Sequence, residues 1–599
     1  MKFIIHSMLR THLPEPFCYY KAILKNDHLH FGLWQDNSSH LSMEEAQQAM
    51  FDYLLSFFPP PPAMVLDVGC GLGYSAFLLL QKGYKVTAIA PSPEMIQYAQ
   101  QTYGGNGVEF NVLGFFDADE VVFSQERYDV LLFQESAQYL SPLDAVMKKS
   151  HRLLKDNGFL IICDEVCYDK SIKPETAIHP ANDFIIDFAE HGFRITENKK
   201  IGKSVFPTHD MVIQGLTKCH DKMVTECNDK DAAEKIDFYI RGWQKQKDWN
   251  LEGKTGYEIF VTRKDSFSIK PYSAGEEMKI IPSFNEVFGT ERTIEHWYWK
   301  FKDAPYGSCN ISEALSANGN LVAHYAGYPV PFYCNINGTP ETFLSMQIGD
   351  TFTRPEGRRI GRGKTSILSR TAQHFYAKYC ETVPFTYGFN TGTIKKLGER
   401  FLGYQYIDPV PYRVKEIILS SLLRCSFLKK IFSKYRVRMI NAFDNVFDSF
   451  FERTAASYNF LVKRESRYLT WRYRDCPDKD YLMLSVHNKM GRLIGWSVFL
   501  LKDKKLIWGD ALFDREYPDA VEYLLTHLLS MPQCKGIERI EGWFSRNPAW
   551  WNEILDQLGF ELMDEPNNLF PCFFILTDNG IIEKLKEYFY YTMGDSDLF

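Results

Sequence analysis

One seven-residue pattern occurs twice in this chain. "WKFKDAP" (Trp299 to Pro305) returns 172 positions later as "WRYRDCP" (Trp471 to Pro477), keeping the order Trp, basic, aromatic, basic, Asp, small, Pro. A repeat of matched chemistry constrains the fold before any single element is assigned, because each copy must build a unit of the same kind. The parallel runs on. "NLVAHYAGYPVPFYC" and "TFLSMQIGDTFT" read as adjacent strands ending in Gly349-Asp350, and "RLIGWSVFLL" and "KLIWGDALF" take the corresponding places with Gly509-Asp510. Further on, "TYGFNTGTIKKLGERFLGYQ" matches "IEGWFSRNPAWWNEILDQLGFE" as strand, turn, helix and Leu-Gly-aromatic. Two mixed α/β units are expected, over 278–413 and 441–599, behind a polar Pro/Gly-containing linker at 266–277.

The copies part at one place. After Gly349-Asp350 the first continues "TFTRPEGRRIGRGKTSILSRTAQHF", in which Arg358, Gly361 and Gly363 spell R-x-x-G-x-G with Arg359 and Arg362 beside them. Glycines flanked by cations and opening a helix form a nest of N–H groups suited to pyrophosphate. The second copy reads "DREYPDAVEYLLTHLL" there, and Asp514, Glu516 and Asp519 would repel phosphate. Between the copies, 414–440 is apolar with seven Lys/Arg. It reads as a basic amphipathic connector, either a bridging helix or a segment lying on a membrane surface.

The first 265 residues carry a different signal. "AMVLDV" is a continuous apolar run suited to a buried parallel strand, Gly69, Gly71 and Gly73 follow as G-x-G-x-G, and a helix-like run and the strand "KVTAIA" come next. Glycines there let the backbone approach a ligand at a helix N-terminus. The net charge of -7 argues against an electrostatic nucleic-acid binder. The 13 cysteines show no CxxC pair and no Cys/His ligand spacing, so no metal site is expected and a reducing, cytoplasmic setting is. No run approaches the ~20 apolar residues of a membrane span.

The D-x-G-C-G-x-G turn between strand and helix resembles motif I of class I S-adenosylmethionine-dependent methyltransferases. "YDVLLFQESAQYL", "HRLLKDNGFLIICDEV", "FAEHGFRI" and "TGYEIFVTRK" keep that family's later order, and "HFGLW" resembles its N-terminal cap in members acting on small molecules. The resemblance covers about residues 1–265. It implies that Asp67, Gly69, Gly71 and Gly73 surround the methionine moiety of S-adenosylmethionine. Two departures stand out. Ala90 occupies the usual place of the ribose-binding acid, a loss of about 1.5–3 kcal/mol, and Gly114 replaces the acid after the third strand, with Asp117 as its substitute. Glu135 and Glu165, at the carboxyl ends of the fourth and fifth strands, are the candidate catalytic groups, with His30 and Tyr139 as lining.

The repeated half resembles the GNAT acyltransferase superfamily, whose motif A is the R/Q-x-x-G-x-G/A turn. The resemblance implies acetyl-coenzyme A or another acyl-coenzyme A held by Arg358, Arg359, Gly361, Arg362 and Gly363, with Asn390 on the pantetheine arm. Asp350 is then the candidate base and Tyr404 the candidate acid, although the twin Asp510 also fits a structural role for Asp350. The expected architecture is α/β: a Rossmann-like methyltransferase fold, an active GNAT-like domain and a degenerate one. Such a chain would be a bifunctional tailoring enzyme acting on a small molecule, an amino sugar or a secondary metabolite. The alternatives are an acyltransferase with a silent methyltransferase scaffold, or a non-enzymatic ligand-binding protein.

Overall fold

The apolar run around Asp67 lies at the centre of a parallel sheet, where both faces are covered and an unbroken hydrophobic strand is the natural solution. The computed structural model describes residues 13–24, 26–34, 41–175, 177–336, 338–391, 395–396, 398–417, 434–577 and 580–599. It divides into two compact units, Met1–Ile269 and Lys270–Phe599.

In the first unit the strands are β1 (Met64–Val68), β2 (Lys85–Ala90), β3 (Glu109–Val112), β4 (Tyr128–Gln134), β5 (Leu154–Cys167), β6 (Phe193–Lys200) and β7 (Thr255–Lys264). Their order is β3-β2-β1-β4-β5-β7-β6, parallel except for β7, which runs antiparallel to both neighbours. This is the Rossmann-like arrangement the sequence led us to expect. The strand order reverses between β1 and β4, and ligands of open α/β sheets bind outside the carboxyl ends at such a switch point. Between β6 and β7 the chain leaves the sheet to form the helices Pro207–Lys222 and Lys230–Leu251. With the helix Phe17–Ile23 they close a small core in which Cys18, Tyr19, Leu216 and Ile236 meet Leu72 and Met95. The insert is thereby fastened above the glycine turn.

Strand β8 (Phe267–Pro271) falls within the stretch expected to be a linker. The second unit then presents the repeat. Its first half contains β9 (Asn310–Ser316), β10 (Leu321–Cys334), β11 (Glu341–Thr353), β12 (Phe385–Thr391), β13 (Gln405–Tyr406) and β14 (Tyr412–Glu416). The second contains β15 (Tyr435–Met439), β16 (Phe460–Val462), β17 (Leu482–Asn488), β18 (Leu493–Lys502), β19 (Lys505–Phe513), β20 (Arg539–Trp543), β21 (Glu561–Met563), β22 (Leu569–Ile575) and β23 (Phe589–Tyr590). Three antiparallel strands, a helix and a parallel strand occur in both: β9-β10-β11-β12 with Ile367–Tyr379, and β17-β18-β19-β20 with Asp519–Leu529.

The halves are not two separate domains at 278–413 and 441–599. Strand β22 of the second half sits between β12 and β13 of the first, and β14 of the first sits between β20 and β21 of the second. One continuous core serves both. The connector expected at 414–440 is strand at its two ends, β14 and β15, while its middle, 418–433, lies outside the described residues.

The duplicated heptapeptide marks the local two-fold axis. Trp299 and Trp471 stack with centroids 5.4 Å apart, and each indole Nε1–H donates to the other's backbone carbonyl, at 2.6 and 2.8 Å. Both lie on single π-helical turns, Tyr298–Lys302 and Thr470–Arg474. The residues beside them diverge. Lys300 pairs with Asp350 at 2.8 Å, whereas Arg472 donates to the carbonyls of Gly594, Ser596 and Phe599.

Those last contacts account for the closing "GDSDLF" segment. β19 and β20 pair only as far as Trp508↔Gly542. Beyond that point Tyr590–Ser596 lies between them: Tyr590 donates to the Ala511 carbonyl at 2.8 Å, Thr592 bridges Phe544, and Thr592 Oγ1 donates to Asp510 at 2.9 Å. The Phe599 ring covers Gly509 so closely that a Cβ there would lie 1.8 Å from it. The gap between the two strands is filled by the chain itself.

Candidate functional site

A cavity of ≈850 Å³ opens at the carboxyl ends of β1, β2, β4 and β5 in the first unit. Its floor is the glycine turn, where Gly69 and Gly71 adopt φ +77° and +57°. A Cβ at Gly69 would stand 2.5 Å from the Ser136 Cβ. Gly73, the third glycine, is not on the lining. Its missing side chain makes room for Ala99 and Phe110, at 2.7 Å, so it serves helix–sheet packing and not ligand contact.

Asp67, at the end of β1, is 3% exposed, and its Oδ2 has no hydrogen-bond partner among the described residues. Burial alone pushes this carboxyl up to about 7. An orphaned buried carboxyl above a glycine cradle fits an amino-acid ligand, whose ammonium supplies the missing donor and charge. Ala90 and Ser92 line the cavity at the end of β2, and no acid stands there. The proposed substitute, Asp117, is also absent from the lining: its carboxylate accepts the Gly114 N–H at 2.6 Å and closes its own turn.

The other side of the cavity is built by two carboxyl groups. Glu135 follows β4 in the left-handed region, φ +54°, a conformation uncommon for a residue with a side chain. Its Oε1 accepts from the Phe31 N–H and the Tyr257 hydroxyl, each at 2.6 Å. Burial nevertheless pushes it up to about 8. Glu165, within β5, is 3% exposed; Oε2 accepts from Gln246 Nε2, and Oε1 has no partner among the described residues. Burial raises it well above the usual range, and Glu135 and Asp164 add to that. Asp164 points toward the loop after β4, accepts the Gln138 N–H at 3.1 Å, and is raised to about 7 by burial.

His30 is buried with Nδ1 2.9 Å from the Phe31 carbonyl and Nε2 2.9 Å from His28 Nδ1. A carbonyl only accepts, so Nδ1 of His30 carries the proton and Nε2 receives the one on His28. Burial lowers His30 to about 4 and His28 to about 2, so both are neutral. Tyr139 stands at the rim, 74% exposed. The remaining walls are aromatic: Phe17, Tyr20, Phe31, Phe238, Trp243 and Trp249. All six come from the segment before β1 and from the insert between β6 and β7.

In the second unit, the Arg/Gly turn follows β11. Gly361 and Gly363 have φ +71° and +58°, and a Cβ would stand 2.0 Å from the Thr365 carbonyl oxygen or 2.8 Å from Phe401. Glycine is required at both by the turn itself. Their N–H groups find no acceptor among the described residues. Arg358 Nε donates to the Thr353 carbonyl at 3.4 Å, and Arg359 and Arg362 flank the glycines. β11 and β12 pair only at Met346↔Thr386 and Gln347↔Tyr387 before diverging. Asn390, near the end of β12, donates to the Tyr406 hydroxyl at 3.3 Å.

The two acid–base candidates of this half are engaged elsewhere. Asp350 is buried between Lys300 and Arg292; burial would raise it, but those cations hold it well below the carboxylate range. A carboxylate so held is an ion-pair hub and a poor proton acceptor. Tyr404 joins the hydroxyls of Tyr325, at 2.6 Å, and Tyr376, at 3.1 Å, and burial pushes it up to about 12.

A parallel sheet of this order with a glycine cradle at its switch point defines a nucleotide- or adenosyl-binding α/β domain. Comparison narrows the class. Residues 66–162 match the family model described as a methyltransferase domain, so the first unit carries a class I S-adenosylmethionine-dependent methyltransferase domain. The chain is 36% identical over 98 residues to a malonyl-[acyl-carrier protein] O-methyltransferase of Acetivibrio thermocellus, covering 16% of this chain and 33% of that protein. It is 31% identical over 143 residues to methyltransferase GfsG of Streptomyces halstedii, covering 23% and 51%. It is 29% identical over 145 residues to O-methyltransferase resE of Aspergillus sclerotiorum, covering 24% and 54%. The chain thus spans from a third to about half the length of these relatives.

Proposed function

We propose that the first unit transfers a methyl group from S-adenosylmethionine to a small molecule held against Glu135 and Glu165. The observation that carries this reading is that one cavity contains both the glycine cradle with its orphaned Asp67 and the two carboxyl groups. When bound, the cofactor supplies an electrophilic methyl group on a sulfonium sulfur. Asp67 and the backbone at Gly69 and Gly71 are the groups to hold it, with Ala90 offering only van der Waals contact. Glu135 and Glu165 face the acceptor, and once either has given up its own proton its carboxylate can take one from the acceptor, while the aromatic walls exclude water from the reaction. Relatives named as O-methyltransferases support a small-molecule acceptor.

For the second unit we propose acyl-coenzyme A-dependent acyl transfer by the first half alone. This is supported by the divergence of β11 from β12 beside a turn whose glycine N–H groups are uncommitted. In the second half the corresponding gap is filled by Tyr590–Ser596, and the turn carries Asp514 and Asp519. Asp350 and Tyr404 have no acid–base part in this reading.

Calorimetry with S-adenosylhomocysteine and coenzyme A tests both parts. One site for each per chain is expected. Gly71→Arg should abolish only the first signal and Gly361→Asp only the second. No heat with S-adenosylhomocysteine from folded protein sinks the methyl-transfer reading. Equal coenzyme A binding by wild type and Gly361→Asp sinks the acyl-transfer one.

A further inference from the structure

We propose that the acceptor of the first unit is an apolar amine, a molecule with a hydrophobic body that presents its ammonium group to Glu135 and Glu165. The proposal rests on the methyl-transfer reading above and names the substrate class of that same cavity.

Three observations lead to it. The first is the pair of uncommitted oxygens. Glu165 Oε1 is buried with no partner, and Glu135 Oε2 accepts nothing from the described residues, while their other oxygens are fixed by Gln246, Tyr257 and the Phe31 N–H. Two acceptors, one just past β4 and one within the neighbouring β5, are therefore left in one cavity for a ligand, and that of Glu165 is buried. A buried acceptor without a donor is costly, and a ligand carrying several N–H donors removes that cost.

The second is the charge of the surroundings. Asp164 is a third carboxyl behind the pair, with its oxygens turned to the Gln138 and Glu165 N–H groups. Tyr257 donates to Glu135, Gln246 is neutral, and His30 is neutral with both ring nitrogens engaged. Lys245, a cation on the lining, lies 4.9 Å from the Trp249 ring centroid. Acidic groups thus gather here, and the hydrogen-bond partners of Glu135 and Glu165 among the described residues are neutral.

The third is the wall. Tyr20, Phe31, Trp243 and Trp249 offer apolar surface for a hydrocarbon body, and aromatic faces attract a cation that has left water. A sugar or a phosphorylated acceptor would find few donors on this wall and a repelling charge at its end.

Binding needs no covalent change. An ammonium that meets a protonated carboxyl forms the ion pair R–NH3⁺···⁻OOC and releases one proton to solvent. To become a nucleophile the amine then returns an N–H proton to the carboxylate and keeps the electron pair on nitrogen. A neutral alcohol of the same shape meets the same pocket with the carboxyl still protonated and releases no proton.

The test uses the full chain saturated with S-adenosylhomocysteine at pH 7, titrated with 2-phenylethylamine or 2-phenylethanol in phosphate and in Tris. The different ionisation heats of the two buffers report the protons released. The amine is expected to bind at least about tenfold more tightly than the alcohol, as a charge-assisted contact requires, and to release protons where the alcohol releases none. Glu165→Gln, which keeps the shape, should bring the two ligands to similar affinity and reduce the proton release while S-adenosylhomocysteine still binds. If the alcohol matches the amine, if the amine fails to bind, or if no protons are released, the amine proposal is overturned and the methyl-transfer reading stands. If S-adenosylhomocysteine itself does not bind, both fall.

Discussion

Because burial alone raises Asp67 to about 7, the adenosyl site should behave as a titratable one. The ammonium of S-adenosylhomocysteine requires the carboxylate, and the ionised fraction of a group with this pKa is about 0.9 at pH 8 and about 0.01 at pH 5. Affinity should therefore fall roughly 90-fold from pH 8 to pH 5, about 2.7 kcal/mol. Glu135 and Asp164 titrate in the same range within the same region, so the wild-type profile alone does not assign the slope. Asp67→Asn isolates it: the variant should bind weakly at pH 8 and lose little more on acidification. Isothermal calorimetry at half-unit steps, with circular dichroism confirming the fold at each pH, provides the measurement. A flat wild-type profile refutes the assignment, and so does a variant that keeps the full slope.

Two more expectations concern stability. Trp471→Phe removes the indole N–H donated to the Trp299 carbonyl, leaves that carbonyl buried without its donor, and should cost about 1–3 kcal/mol; Trp299→Phe should cost the same by the local two-fold, and unequal losses in denaturant unfolding would contradict the symmetry. The ligand-free first unit should lose stability from pH 6.5 to pH 8, because Asp67, Glu135 and Asp164 bind protons in the folded state that the unfolded chain has already released. Below pH 6.5 the lowered His28 and His30 act the opposite way, since the unfolded chain binds protons there that the folded one does not. The unfolding transition that S-adenosylhomocysteine shifts identifies this unit, and a midpoint that rises between pH 6.5 and 8 would be the contrary result.

The glycine turn and the place of Glu135 just past β4 were legible in the sequence because each is local, whereas Glu165, expected at the end of the fifth strand, lies two residues inside β5. A parallel strand buried on both faces is an unbroken apolar run, and its carboxyl end is where the run stops. What decides the chemistry of those carboxyls was not legible. Tyr257 reaches Glu135 across 122 positions, and Gln246 reaches Glu165 across 81. Gly73 and Gly71 look alike in a motif, and only the neighbours Ala99 and Phe110 show that one of them packs. Asp350 reads as a strand-end acid until Lys300 and Arg292, 50 and 58 positions earlier, turn it into an ion pair. The repeat itself was visible, but strand exchange leaves no mark on either strand: β14 alternates apolar and charged residues and β22 is a nearly unbroken apolar run, and both patterns suit pairing within one half equally well.

That exchange determines when each half can exist. Gly388 in β12 pairs with Cys572 in β22, so the first sheet waits for a strand made near the far end of the chain. During synthesis β12 stands with a bare row of N–H and C=O groups, and contacts so distant in sequence close slowly. A polypeptide stopped before Leu569 keeps that edge open and is exposed to pairing with a second chain. The halves repeat one pattern, but each sheet contains a strand of the other, so neither can be cut out or lost by truncation without opening the other.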